Sequence, residues 1–315
     1  MTHTVRVAAI DCGTNSIRLL VADVGGAAPL GDLAREMRIV RLGEGVDRTG
    51  EFAEAALART FAACEEYAAL IDRLGAQRVR FVATSASRDV RNRDAFVAGV
   101  RARLGIAPEV VTGAEEAALS FAGATRGLDA DLAPSPRLVV DIGGGSTEFV
   151  LGDTEPWEAV SVDIGCVRMT ERHLHGDPPG TDEVEAAELD ITRAVTDAVA
   201  RVGGDRARSV VGLAGSVTTV AAIALGLPAY EAEALHGSVI SAADVRSVTA
   251  ALVGMTRSDR AALPVMHPGR VDVIAGGALV LRAVVDALDI PEVVVSEHDI
   301  LDGIAWSLVG APPSV

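Results

Sequence analysis

The 315-residue chain contains no lysine, so all 28 of its basic residues are arginines. This excludes a Walker A loop, whose lysine reaches the phosphates, and any lysine Schiff-base chemistry. Cysteine is scarce. Cys12, Cys64 and Cys166 are scattered and odd in number, which suggests neither a disulfide framework nor a zinc site and fits a reducing compartment. No apolar run reaches the ~20 residues of a membrane span, and no charged-then-apolar leader is visible. The expected location is the cytoplasm. Positive charge is also short: the net charge is −16, which argues against nucleic acid and membrane as partners. The six histidines show no metal-ligand spacing.

What the sequence does have is a repeated turn. Residues 138–151 form an apolar run ending in Asp141, then Ile142, Gly143, Gly144, Gly145, Ser146, Thr147 and Glu148, then a second apolar run. The runs suit strands and the glycines a tight turn. Without side-chain bulk, backbone N–H groups can converge there on an anion, and an aspartate at a strand end can hold a metal ion directly or through water. Residues 7–21 repeat the pattern: Asp11 aligns with Asp141, Gly13 with Gly143 and Ser16 with Ser146, with Thr14 and Asn15 between. One Gly-rich hairpin is ordinary. Two copies predict two similar half-domains, each presenting an anion-binding turn to a shared cleft.

Along the chain, 5–11 and 17–24 read as a hairpin and 39–47 as strand then loop. Residues 51–74 read as a helix ending at Gly75, 79–83 as a buried strand and 92–104 as a helix. At the end of the 79–83 strand, Thr84, Ser85 and Arg88 are expected near the ligand. Glu115 and Glu116 open the next helix, where acids suit the helix dipole; alternatively one of them faces the cleft as a general base. Residues 127–137 read as a linker. After the 158–162 strand comes the segment 163–171, then a helix from about 183 to 202 capped by Thr181 or Asp182. A third turn, with Gly215 and Ser216 after the 209–213 strand, opens another helix; it is either a further phosphate contact or a plain cap. Further helices at 241–253 and 271–288, a strand at 292–296 and a closing helix complete the chain, with a frayed tail at 311–315.

These residues resemble the exopolyphosphatase / guanosine pentaphosphate phosphatase (Ppx/GppA) family. The resemblance is carried by 9–16, 83–88, Gly113 with Glu115 and Glu116, 141–148, Gly165 with Arg168, 212–216, 268–272 and Ser296 with Glu297. It implies an α/β chain with the two-domain actin-like ATPase / sugar kinase / heat-shock chaperone (ribonuclease H-like) fold, active site in the interdomain cleft, in its short form. The expected domains are 1–127 and 128–298, with helix 299–310 packing back on the first. The implied activity is Mg²⁺-dependent hydrolysis of terminal phosphate from inorganic polyphosphate, with guanosine pentaphosphate as the alternative substrate and a homodimer as the expected assembly. Rival readings are a guanosine tetra- or pentaphosphate sensor without turnover, and an ATPase or kinase of the same fold.

The resemblance makes Glu116 the base. The expected roles are then Arg88 on the developing charge, Asp141 on Mg²⁺ with Asp11 or Glu148, and backbone amides of both turns on phosphate. The acidic chain conflicts with a polyanionic substrate. A short track of Arg18, Arg88, Arg91, Arg93, Arg168 and Arg270 would resolve the conflict and would favour short chains. One departure from the family pattern is Ser296-Glu297-His298, where many relatives read Ser-Asp-Gly.

Overall fold

The computed structural model describes residues 4–25, 30–88 and 90–310, and all counts below refer to these; the expected frayed tail lies outside them. The chain divides into one unit of Met1–Gly123 with Ile300–Val315 and a second of Ala124–Asp299.

In the first unit β1 (Val5–Cys12) and β2 (Ser16–Val24) form the expected antiparallel hairpin, and β3 (Gly31–Ile39) adds to β2. After the single-turn α1 (Val46–Thr49) comes α2 (Glu54–Leu74), stopped by Gly75 at φ 69°, a left-handed conformation that costs glycine little. Then follow β4 (Arg78–Ala83), a 3₁₀ turn at 85–87, α3 (Arg93–Leu104), β5 (Glu109–Val110) and α4 (Gly113–Thr125). The sheet order is β3-β2-β1-β4-β5, with β4 parallel to β1 and β5 parallel to β4. β1 is apolar at nearly every position because both its faces are covered. Ala8, Ile10 and Cys12 pack with Tyr67 of α2 and Phe96 of α3, whereas Val7 and Ala9 pack with Leu119 of α4.

The second unit runs β6 (Arg137–Ile142), β7 (Thr147–Gly152), β8 (Pro156–Val162), α5 (Cys166–His173), α6 (Thr181–Val202), β9 (Ser209–Leu213) and α7 (Ala214–Ala224). It continues through α8 (Ala232–Leu235), β10 (Val239–Ser241), α9 (Ala242–Gly254), α10 (Arg257–Ala261), α11 (Ile274–Leu288) and β11 (Glu292–Ser296). Its sheet order, β8-β7-β6-β9-β11-β10, is that of the first sheet with one short strand added at the β11 edge. The repeat seen in the sequence is therefore a repeat of topology. Finally α12 (Ile300–Gly310) returns to the first unit, covering Val7, Ala9, Leu20 and Ala22 with Ile300, Leu301, Ile304 and Ala305. Gly303 permits that approach, since a Cβ there would lie 2.0 Å from the Leu119 carbonyl oxygen of α4.

Three details differ from the sequence reading. The strand before residue 40 begins at Gly31, and most of the segment 163–171 is helix α5. The N-cap of α6 is Gly180 rather than Thr181 or Asp182: Glu183 reaches back to accept the Gly180 amide at 2.9 Å, along with those of His175 and Gly176, both at 3.1 Å. These bonds hold the Glu183 carboxyl below the usual carboxylate range.

Candidate active site

In each unit the parallel strands end on one edge of the sheet, which is where ligands bind in open α/β sheets. The two repeated turns lie there and close identically: Gly13 N donates to Ser16 O at 3.0 Å, and Gly143 N to Ser146 O at 3.0 Å.

The hairpin register pairs each strand-end aspartate with the residue seven positions on: Asp11 with Arg18, and Asp141 with Glu148. All four places are equivalent in the repeat, but their charges are not. Arg18 donates to Asp11 Oδ2 from Nε at 3.0 Å and from Nη2 at 2.6 Å, so the buried carboxylate is neutralised inside its own unit. Asp141 and Glu148 are both buried, 7% and 1% exposed, and directly opposite each other. Ser161 of β8 donates to Glu148 Oε1 at 2.6 Å. The ladder thus brings two carboxylates to one place at the end of the hairpin.

That donor set fits Mg²⁺. Two hard carboxylates beside a phosphate turn are its usual protein contribution, the remaining positions going to water and phosphate oxygens. Among the described residues no group of three or more His, Cys, Asp or Glu side chains is placed to hold a metal. Asp11, the other candidate ligand, has Oδ2 occupied by Arg18.

The first unit gathers the residues suited to proton transfer. Thr14 Oγ1 lies 3.0 Å from Ser85 Oγ, tying the turn to the segment after β4. Arg88, in that segment, forms an ion pair with the buried Glu116 on the first turn of α4 and donates through Nε to Val111 O at 3.2 Å. Glu115 points elsewhere, with Oε1 2.7 Å from Arg80 Nη2, which leaves Glu116 as the acid beside Arg88.

Two of the expected phosphate hydroxyls are spent inside the second unit. Thr147 is fully buried and donates to Ile164 O. Ser216 is packed so closely on α11 that a Cβ on Gly277 would fall 2.1 Å from its Oγ. Above Gly215 lies the Arg270 guanidinium, which donates to Thr219 Oγ1 at 3.0 Å and sits 5.8 Å from the centre of the Tyr230 ring. The Tyr230 oxygen is 2.5 Å from Glu297 Oε1 and 2.7 Å from Thr218 Oγ1; burial, then Glu297, push this phenol up to about 12, so it stays a donor. The unusual Glu297 thus has a partner of its own. Of the remaining arginines, Arg91 pairs with Glu51 at 3.1 Å, and Arg168 Nη2 lies 3.5 Å from Asp163. Arg93 opens α3.

Sequence reasoning missed the opposed charges at 18 and 148, although the equal spacing of seven was available to find them. It also missed Ser161, for which nothing local to β8 gives a signal.

The sequence matches the Ppx/GppA phosphatase family over residues 9–311. It is 54% identical over 317 residues to Exopolyphosphatase 2 of Mycobacterium tuberculosis, covering 97% of this chain and 99% of that one. Among solved structures, an exopolyphosphatase from Cytophaga hutchinsonii aligns with a TM-score of 0.86 at 25% identity over 96% of this chain and 97% of its own. The Aquifex aeolicus member of the Ppx/GppA family aligns at 0.80 and 27% over 98% of both. The two mixed sheets with helices are those of the Ppx/GppA structures, the α/β class that the resemblance implies.

Proposed function

Because the chain belongs to the Ppx/GppA phosphatase family, we propose that it is an exopolyphosphatase, a phosphoanhydride hydrolase that removes terminal phosphate from inorganic polyphosphate. The observation that carries this reading is the buried, like-charged Asp141–Glu148 pair at the mouth of a glycine turn. It is a place for a divalent cation and phosphate together.

The chemistry assigned to the chain's own residues is in-line attack of water on the terminal phosphorus. Glu116 accepts the proton of the attacking water. In the free protein its carboxylate is engaged by Arg88; an incoming phosphate competes for that guanidinium, which turns to the phosphoryl oxygens and leaves Glu116 able to accept. The amides of 144–146 and of the 14–16 turn hold phosphate oxygens, those of Gly143 and Gly13 being spent on Ser146 O and Ser16 O. Asp141 and Glu148 would hold Mg²⁺, which when bound neutralises charge on those oxygens. Water's oxygen bonds to phosphorus, the bridging P–O bond breaks, and the shortened chain leaves with the electron pair.

The test is phosphate release from polyphosphate, guanosine pentaphosphate and ATP, measured side by side with Mg²⁺. Polyphosphate is expected to turn over fastest. Faster release from pentaphosphate would make the chain a guanosine pentaphosphate 5′-phosphohydrolase. Binding without release would make it a sensor, and release from ATP alone an ATPase or kinase. The net charge of −16 supports short chains and a distributive mode, seen on a gel as a shifting ladder; full-length substrate persisting beside free phosphate would reject that part. No described helix is long and apolar enough to cross a membrane. The reading also places the chain in the cytoplasm as a homodimer, a state that sedimentation equilibrium would check.

A further inference from the structure

What makes the 143–146 turn able to hold an anion lies behind it. Cys166, Val167 and Arg168 begin α5, and their amides are those a helix N-terminus leaves without an intrahelical partner. All three are spent on the turn: Cys166 N donates to Gly143 O at 3.0 Å, Val167 N to Gly144 O at 2.9 Å and Arg168 N to Gly144 O at 3.1 Å. The next carbonyl, Gly145 O, lies beyond the reach of this set. It accepts instead from the Arg168 side chain, through Nε at 2.7 Å. Gly165 allows the contact to be this close, since a Cβ there would fall 2.4 Å from Gly144 O and 2.6 Å from Gly145 N.

A trans peptide points its carbonyl and the following N–H in opposite directions. Holding the carbonyls of Gly143, Gly144 and Gly145 toward α5 therefore turns the amides of Gly144, Gly145 and Ser146 away from it, as a set of three. Among the described residues none accepts a hydrogen bond from those three amides. Two of the three peptides are held by backbone alone. The third, between Gly145 and Ser146, depends on one side chain.

We infer that Arg168 is a positioning residue: it holds the Gly145 carbonyl and so aims the Ser146 amide at the substrate phosphate. This rests on the turn being the phosphate site proposed above. It gives Arg168 a different task from that of a cation on the substrate track, because the guanidinium is engaged by the protein and the amide meets the ligand. The two tasks separate by substitution. Glutamine carries an N–H donor at the same number of bonds from Cα as Arg Nε, but no charge; methionine has similar length and no donor.

The experiment measures kcat and KM on a short polyphosphate for the intact chain, Arg168→Gln and Arg168→Met. It is paired with calorimetric binding of tripolyphosphate and with thermal melting. Losing one aimed donor to a charged acceptor should raise KM and the dissociation constant of Arg168→Met roughly tenfold or more. Because the amide binds phosphate before and during reaction alike, kcat should stay within about twofold. Arg168→Gln should recover most of the loss. Equal impairment of both variants would overturn the inference and put the positive charge itself on the substrate, and unchanged binding in both would overturn it outright. A loss that merely tracks a fall in melting temperature, with no difference between Gln and Met, would reduce Arg168 to a structural role. If the unaltered chain releases no phosphate, the proposed function falls; the tripolyphosphate arm still decides whether Arg168 aims the turn.

Discussion

The two hairpins share a backbone and differ in charge. Asp11 and Asp141 end equivalent strands beside turns closed by the same 3.0 Å hydrogen bond. Across the ladder the first faces arginine and the second faces glutamate. The braces behind the turns differ as well. In the first unit a loop does the work: Gly43 N donates to Thr14 O at 2.9 Å, and Val40 N and Arg41 N to Asn15 O at 3.1 and 2.8 Å. In the second the start of a helix and a guanidinium hold three successive carbonyls. A duplicated turn can thus keep its geometry while one copy pairs its aspartate with an arginine and the other sets its aspartate opposite a glutamate. On the proposed reading the first unit supplies proton transfer, through the Glu116 paired with Arg88.

The largest expected effect tests that division of labour. Glu116→Gln keeps the shape of the first unit but removes the proton acceptor, costing ~10²–10⁴ in turnover, with the Mg²⁺ titration midpoint unmoved. Glu115→Gln, which loses only its contact with Arg80, should stay near the parent rate. The reverse result would put the base at Glu115.

Next in size is a swap that makes the second hairpin imitate the first. Glu148→Arg should pair with Asp141 as Arg18 does with Asp11, so the chain stays folded and loses Mg²⁺-dependent turnover. The milder Asp141→Asn should raise the Mg²⁺ needed for half-maximal turnover roughly tenfold. An unchanged Mg²⁺ titration in both would reject the pair as the cation site.

A third, smaller effect concerns the braces. Gly43→Ala would bring a Cβ 2.2 Å from Thr14 Cγ2. Relieving that overlap should destabilise the first unit by ~1–3 kcal/mol, read by denaturant melting. Wild-type stability would mean that the 40–43 loop yields and is no brace.

The smallest effect is one on which the two units should agree. Asp23, hydrogen-bonded by Arg6, and Glu183, held by backbone amides, both lie below their ordinary values of 3.8 and 4.5. A depressed carboxylate stabilises the fold above its unfolded value, and that contribution is lost as pH falls through the folded value. Asp23→Asn and Glu183→Gln should therefore each lower stability modestly near pH 7, where the contribution is fully present, and flatten the acid side of the profile below about pH 4.5. A slope unchanged in either variant would remove that carboxylate from the account.

The turns were legible because glycine, aspartate and flanking apolar runs are local signals, and because the motif occurs twice. β3 was largely missed because an edge strand is half exposed: Gly31–Ile39 mixes Asp32, Arg35, Glu36 and Arg38 with few apolar residues. Its ion pairs with Glu66 and Asp302 are long-range and leave no trace nearby. α5 escaped because eight residues give little periodicity, and because its first turn is stabilised by carbonyls more than twenty positions earlier. The fold of each unit could be read from runs and punctuation. The site could be read as a set of residues, but which carboxylate faced which charge required the register.

α12 packs on strands that the chain made some 280 residues before, a separation visible in Leu20 and Ile300 sharing one cluster. Residues 124–299 form the other unit without interruption. During synthesis the second unit therefore has its whole sequence while the first still lacks the helix that covers Val7, Ala9, Leu20 and Ala22. A chain cut after residue 299 would keep the whole sequence of the second unit and leave the first with one apolar face bare.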